Sequence, residues 1–192
     1  AVAKAAAESF KRVTQELGGK SVNILLDGVD MEVAVTRGVQ NCFRNSGQSC
    51  SAPTRLLVPR DSLAAVEEIA ERTASSIVVG APVAEDTVMG PVVSKIQYDR
   101  VQHYIEIGME EGAKLVSGGP GRPDGLAAGY YARPTIFSNV SADMKIAQEE
   151  IFGPVLVIMP YETVDEAVAI ANDTSFGLSG NVQGEQSAAV AV

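Results

Sequence analysis

Apolar residues in this chain fall into short blocks separated by amphipathic stretches. Val22-Asn23-Ile24-Leu25-Leu26, Thr54 to Pro59, Ile77-Val78-Val79-Gly80, Lys114 to Ser117, Pro134 to Phe137 and Val155 to Met159 each read as a strand, being rich in β-branched residues and flanked by glycine, proline or aspartate. Helical spacing occupies the intervals. One short helix is expected from Asp30 to Gly38. A second, capped by Asp61, carries Leu63, Val66, Ile69 and Ala70 on its apolar face. A third runs from Ser94 to about Gly112 with Ile96, Tyr104, Ile105 and Met109 on its buried side, and a fourth runs from Thr163 to near Asn172. Ser94 with Gln97, and Thr163 with Glu166, have the spacing of capping boxes. Residues 81–93 and 118–129 carry proline and glycine without periodicity and read as loops. Strands alternating with helices predict an α/β fold: a largely parallel sheet flanked by helices, in three layers. The chain opens on Ala1-Val2-Ala3-Lys4-Ala5-Ala6-Ala7-Glu8 and stops on Ser187 to Val192, both helix-forming and unfinished, so a segment of a longer protein is expected.

Composition narrows the partners. With 46% apolar residues, the 192-residue chain can bury a substantial core. Its net charge of -9 argues against nucleic-acid phosphates and favours small molecules or proteins. No apolar run approaches the roughly 20 residues needed to span a bilayer. Two cysteines make no disulfide framework, so a cytoplasmic setting is expected.

Candidate chemistry concentrates in Asn41 to Cys50, where small and amide-bearing residues surround a cysteine. Gly47 permits a sharp turn, Gln48 can hydrogen-bond it, and Ser49 and Ser51 are too small to bury the sulfur of Cys50. Cys42 lacks the Gly-Gln turn before it and reads as a packing thiol. Glu16 stands beside Gly18-Gly19 where the chain enters its first strand; taken alone, it is an ordinary solvated carboxylate. Glu149 and Glu150 precede an aromatic residue and a Gly-Pro turn. The only histidine, His103, lies beside a helical stripe, and no Gly-x-Ser-x-Gly elbow exists to partner it. The glycines fit neither Gly-x-Gly-x-x-Gly nor a Walker loop.

Taken jointly, these stretches resemble the aldehyde dehydrogenases. Phe43-x-x-x-Gly47-Gln48-x-Cys50 is similar to that family's cysteine signature, Glu16-Leu17-Gly18-Gly19-Lys20-Ser21 to its glutamate signature, and Glu150-Ile151-Phe152-Gly153-Pro154-Val155 to its cofactor-ribose motif. The resemblance implies catalytic roles for Cys50, as nucleophile, and Glu16, as activator of water. It implies a cofactor, NAD or NADP, contacted by Glu150, Phe152, Gln97 and Leu17, with Gln97 equally suited to capping its own helix. No metal is implied. Residues 1–17 would be a remnant of the cofactor-binding domain and residues 18–192 a truncated catalytic domain. The parent protein would oxidise a small-molecule aldehyde to an acid as a homodimer or homotetramer, while the isolated segment would bind NAD+ weakly and turn over little. Two alternatives are a dehydrogenase that passes its thioester to coenzyme A, which generally lacks the glutamate, and a catalytically silent interaction fragment. Gln15 and Val22 depart from the family's usual apolar residue and proline.

Overall fold

The computed structural model describes residues 2–192. The predicted three-layer α/β arrangement is present. In chain order the elements are α1 (Val2–Ala7), β1 (Val22–Leu25), α2 (Met31–Phe43), β2 (Arg55–Pro59), α3 (Leu63–Ser75), α4 (Lys95–Glu110), β3 (Lys114–Ser117), β4 (Thr135–Ser138), α5 (Lys145–Gln148), β5 (Val155–Tyr161), α6 (Val164–Asn172), β6 (Gly180–Gln183) and α7 (Gln186–Ala191). The six strands form one sheet in the order β3-β4-β5-β2-β1-β6. All neighbours are parallel except the antiparallel pair β3 and β4 at one edge.

Alternation along the central strands divides the core into two layers. Leu57 of β2 and Val155, Val157 and Met159 of β5 face α4, α5 and α6, where they meet Val101, Ile105, Ile146 and Ala167. Leu56 and Val58 of β2 and Leu156 and Ile158 of β5 face α2 and α3, where they meet Val35, Val39, Phe43, Val66 and Ala70. The four interior strands, β4, β5, β2 and β1, are buried on both faces, which is why they read as largely apolar runs.

Several local expectations are corrected. The helix expected to end at Gly38 continues to Phe43, so Cys42 lies inside it and is fully buried. Asp61 does not cap α3: a 3-10 turn, Arg60–Ser62, precedes that helix, and Ser62 stands at the cap without a side-chain bond. Ile77 to Gly80 contributes a single bridge between Val79 and Met89 and no strand of the sheet. Ile96 and Met109 are exposed; the buried side of α4 is Val101, Tyr104, Ile105 and Gly108. His103 points to solvent. β6 had no clear apolar signature because it is a solvent-exposed edge.

Half of each predicted capping box forms. The hydroxyl of Ser94 accepts the Gln97 N–H at 3.2 Å, and that of Thr163 accepts the Glu166 N–H at 3.2 Å. Glu166 returns to the Glu162 N–H instead of its cap residue, and Gln97 does not return at all.

Candidate active site

Three adjacent parallel strands explain how distant stretches meet. In the order β5-β2-β1, each strand is preceded by one of the three motifs. Glu16 stands six residues before β1 begins, Cys50 five before β2, and Glu150 five before β5. Since the strands run the same way and are in register, Val22 beside Arg55 and Arg55 beside Val157, the lead-in segments emerge together at one end of the sheet. A cleft of about 490 Å³ opens there, lined by Glu16, Leu17, Gly18, Gln48, Ser49, Cys50, Glu150 and Phe152. It lies at the amino ends of the strands, opposite to the carboxyl-end crevice usual in open α/β sheets.

The cysteine turn is built from unusual backbone. Asn45, Ser46 and Gly47 all take positive φ, at 52°, 57° and 70°. Side chains secure this run: Asn45 Nδ2 donates to the Gln48 carbonyl at 2.9 Å, Gln48 Nε2 donates to the Asn45 carbonyl at 3.1 Å, and Gln48 Oε1 accepts the Val93 N–H at 2.8 Å. Buried Ser46 donates its hydroxyl to the Gly90 carbonyl at 2.8 Å. Gly47 must be glycine on two counts, because a Cβ there would also strike the Gly153 carbonyl. The cysteine turn therefore rests directly on the turn that follows Phe152. Cys50 itself is exposed.

The glutamate segment approaches from the other side. Gly19 N–H donates to Glu150 Oε1 at 3.0 Å, and a Cβ on Gly18 would fall within the Glu150 carboxylate. The consecutive glycines thus serve close approach, and neither takes a positive φ. Glu16 is exposed and Leu17 is 57% exposed. Behind the turn, Arg55 donates to the Lys20, Ile170 and Ala171 carbonyls, each at 2.8 Å, and ties the segment to the end of α6.

Five of the six residues singled out from sequence, Cys50, Glu16, Leu17, Glu150 and Phe152, line the cleft. Gln97 does not line it. Both of its amide hydrogens are directed at backbone, the Ile151 carbonyl at 3.0 Å and the Phe152 carbonyl at 2.7 Å. Among the described residues, no cluster of three or more His, Cys, Asp and Glu side chains suits a metal ion.

Sequence reasoning missed Lys20. Its side chain is 2% exposed and its Nζ has no hydrogen-bond partner among the described residues. Burial pushes the amine down from 10.5 to about 7, against the smaller pull of Cys42 and of Glu150 and Glu149. Burial likewise pushes the Cys42 thiol up from 9.0 to about 12. The clue was available, since a lysine two residues before a buried strand has little route to solvent.

The buried amine has a stability signature. Between about pH 7 and 10.5 the unfolded chain holds a proton on Lys20 that the folded chain does not, so this contribution to stability rises with pH and is smallest below 7. Cys42 acts in the opposite sense, because above pH 9 the unfolded thiol ionises while the folded one does not. Lys20→Met is expected to raise the thermal midpoint at pH 7 and to remove the rise between pH 7 and 9 that Lys20 is expected to give the unsubstituted chain. Identical pH dependence in the two chains, measured by circular dichroism, would refute this.

The pattern that defines the aldehyde dehydrogenase family matches residues 1–191. A 3-succinoylsemialdehyde-pyridine dehydrogenase from a Pseudomonas species is 57% identical over 181 residues, covering 94% of this chain and 38% of the relative. Among solved structures, a mutant of aldehyde dehydrogenase C from Pseudomonas syringae in complex with NAD+ and octanal superposes with a TM-score of 0.94 at 58% identity, over 99% of this chain and 39% of that one. An aldehyde dehydrogenase of Mycobacterium tuberculosis in complex with NAD+ gives a TM-score of 0.93 at 43% identity, covering 99% and 39%. The chain thus spans well under half the length of these relatives, and over that span it belongs to the aldehyde dehydrogenase family.

Proposed function

We propose that this chain is the catalytic portion of a longer NAD(P)+-dependent aldehyde dehydrogenase that converts an aldehyde to a carboxylic acid. The observation that carries the reading is the single cleft holding an exposed thiol, a free carboxylate and a second carboxylate fixed against a glycine turn. The site suits the cofactor's nicotinamide ribose: Glu150 offers acceptors for sugar hydroxyls, and half-buried Phe152 offers a ring to pack on the sugar. The neighbours solved with NAD+ support a cofactor of that kind. When bound, the cofactor supplies the hydride acceptor.

The protein residues supply the rest. Cys50, as thiolate, adds to the aldehyde carbon and forms a C–S bond, while the carbonyl oxygen takes the negative charge and meets the Cys50 backbone N–H. This thiohemiacetal, once oxidised, is a thioester. Glu16 takes a proton from water, whose oxygen adds to the thioester carbon; the C–S bond breaks, the acid leaves and Cys50 is regenerated. Water is a weak nucleophile at neutral pH, so a positioned carboxylate accelerates this step by about 10² to 10⁴. Glu16 in the cleft favours water over coenzyme A as the acyl acceptor.

The residues of 1–17 are proposed to belong to the cofactor domain and those of 18–192 to the catalytic domain. On its own, the 192-residue chain is proposed to bind NAD+ weakly. The test is an aldehyde panel on the longer polypeptide with NAD+ and NADP+, following reduced cofactor and free acid. Equal amounts of both products are expected; reduced cofactor accompanied only by acyl-CoA, or no reduction at all, would overturn the reading.

A further inference from the structure

Glu149 to Pro154 belongs to no helix or strand, and while the Gly153 and Pro154 carbonyls accept from the Val155 and Thr135 N–H groups, those just before them have no backbone donor. Those of Glu150, Ile151 and Phe152 are taken instead by side chains of α4. Arg100 Nη2 donates to the Glu150 carbonyl at 2.5 Å and Arg100 Nε to that of Ile151 at 3.4 Å. Gln97 Nε2 bridges the Ile151 and Phe152 carbonyls. The Tyr104 hydroxyl donates to the Glu149 carboxylate, and the Arg100 guanidinium stands 5.0 Å from the Tyr104 ring centre. Gln97, Arg100 and Tyr104 are spaced three and four residues apart and share one helical stripe.

The clamped segment is one that needs holding. Phe152 has a φ of 58°, a conformation an aromatic residue adopts only when its surroundings enforce it. Burial and the bond to Glu149 raise the Tyr104 hydroxyl above its ordinary value, so it remains a donor.

We propose that this stripe of α4 is a positioning element of the site: Arg100 and Gln97 clamp the backbone of Glu150 to Phe152 so that the Glu150 carboxylate faces the cleft, and Tyr104 braces Arg100 and Glu149 from behind. The inference rests on the reading of Glu150 as a ribose ligand. Since Gln97 spends both amide hydrogens on the clamp, it has only its carbonyl oxygen left to offer a ligand. The clamp also supports the nucleophile, because the cysteine turn sits against Gly153.

The clamp and its effect on cofactor binding are separable by experiment. In the 192-residue chain, Arg100→Met is expected to raise hydrogen exchange at the buried Gly19 amide, which donates to the Glu150 carboxylate, at least about tenfold, with β2 and β5 within about twofold. Tyr104→Phe, which removes a single hydroxyl, raises exchange at the same amide about threefold. In the longer enzyme, Arg100→Met raises the KM for NAD+ about tenfold with kcat reduced less than about threefold, and Arg100→Lys recovers part of the loss. Unchanged exchange in both variants overturns the clamp. Faster exchange with an unchanged KM overturns its positioning role, provided that Glu150→Gln does raise the KM. If Glu150→Gln leaves the KM for NAD+ unaltered as well, the ribose reading itself fails, and the exchange data alone decide whether the clamp exists.

Discussion

Replacing Cys50 by alanine in the longer enzyme is expected to lower kcat for aldehyde oxidation on the order of 10⁵-fold, with NAD+ binding within about twofold of the unsubstituted protein. Without the sulfur there is no covalent adduct from which hydride can leave, and no side chain nearby can replace it. Ser49 and Ser51 flank it, but neither hydroxyl has a base to activate it: their one side-chain contact is with each other, at 3.4 Å. Cys42 cannot stand in. It is fully buried in α2, its sulfur is directed to the Val155 carbonyl at 3.9 Å, and burial holds its thiol at about 12. Iodoacetamide should therefore label Cys50 and spare Cys42 in the folded chain. Steady-state measurement of reduced cofactor checks the main expectation; activity within about tenfold of the unsubstituted enzyme would remove Cys50 from the mechanism.

Glu16→Gln is expected to lower steady-state turnover by about 10² to 10⁴ while sparing the first half of the reaction. Adduct formation and oxidation need the thiol, whereas hydrolysis needs a base. The variant should therefore give a rapid burst of reduced cofactor close to one equivalent per Cys50, followed by slow release of acid, with the acyl group detectable on Cys50 by intact mass. A base elsewhere is indicated if turnover persists at the unsubstituted rate with no acyl-enzyme. Glu16 is exposed, as are its neighbours Gln15 and Leu17, so glutamine at this position should leave the core untouched.

Much of this arrangement was legible before any coordinates. The central strands declared themselves because burial on both faces demands uninterrupted apolar runs, as in Val155 to Met159. The motifs declared themselves because their residue types are poor core filling. Their convergence did not: nothing in the local sequence says that β5, β2 and β1 are neighbours, and only resemblance to a family linked Glu16, Cys50 and Glu150. The misreadings have a common cause as well. Ile96 and Met109 match a helical period but sit on the exposed side of α4, since the faces of that helix are selected by the sheet beneath it and not by its own apolar content. Gln97 has capping spacing, yet unpaired carbonyls across the cleft wall claim its amide. Lys20 was passed over because its charge suggests solvent, while its position between a tight turn and a buried strand leaves it none.

The left-handed run at Asn45, Ser46 and Gly47 has a consequence for how this site can change. Cys50 is not among the residues of positive φ. Conformational strain and chemistry are thus assigned to different positions: the preceding residues carry the contorted backbone, and the reactive one sits on permissive geometry. The nucleophile can then be exchanged for serine, alanine or selenocysteine with little structural penalty, whereas substitution of Gly47 should break the contact with Gly153 and the turn together. A scaffold divided this way leaves its reactive atom open to chemical variation while its shape stays fixed.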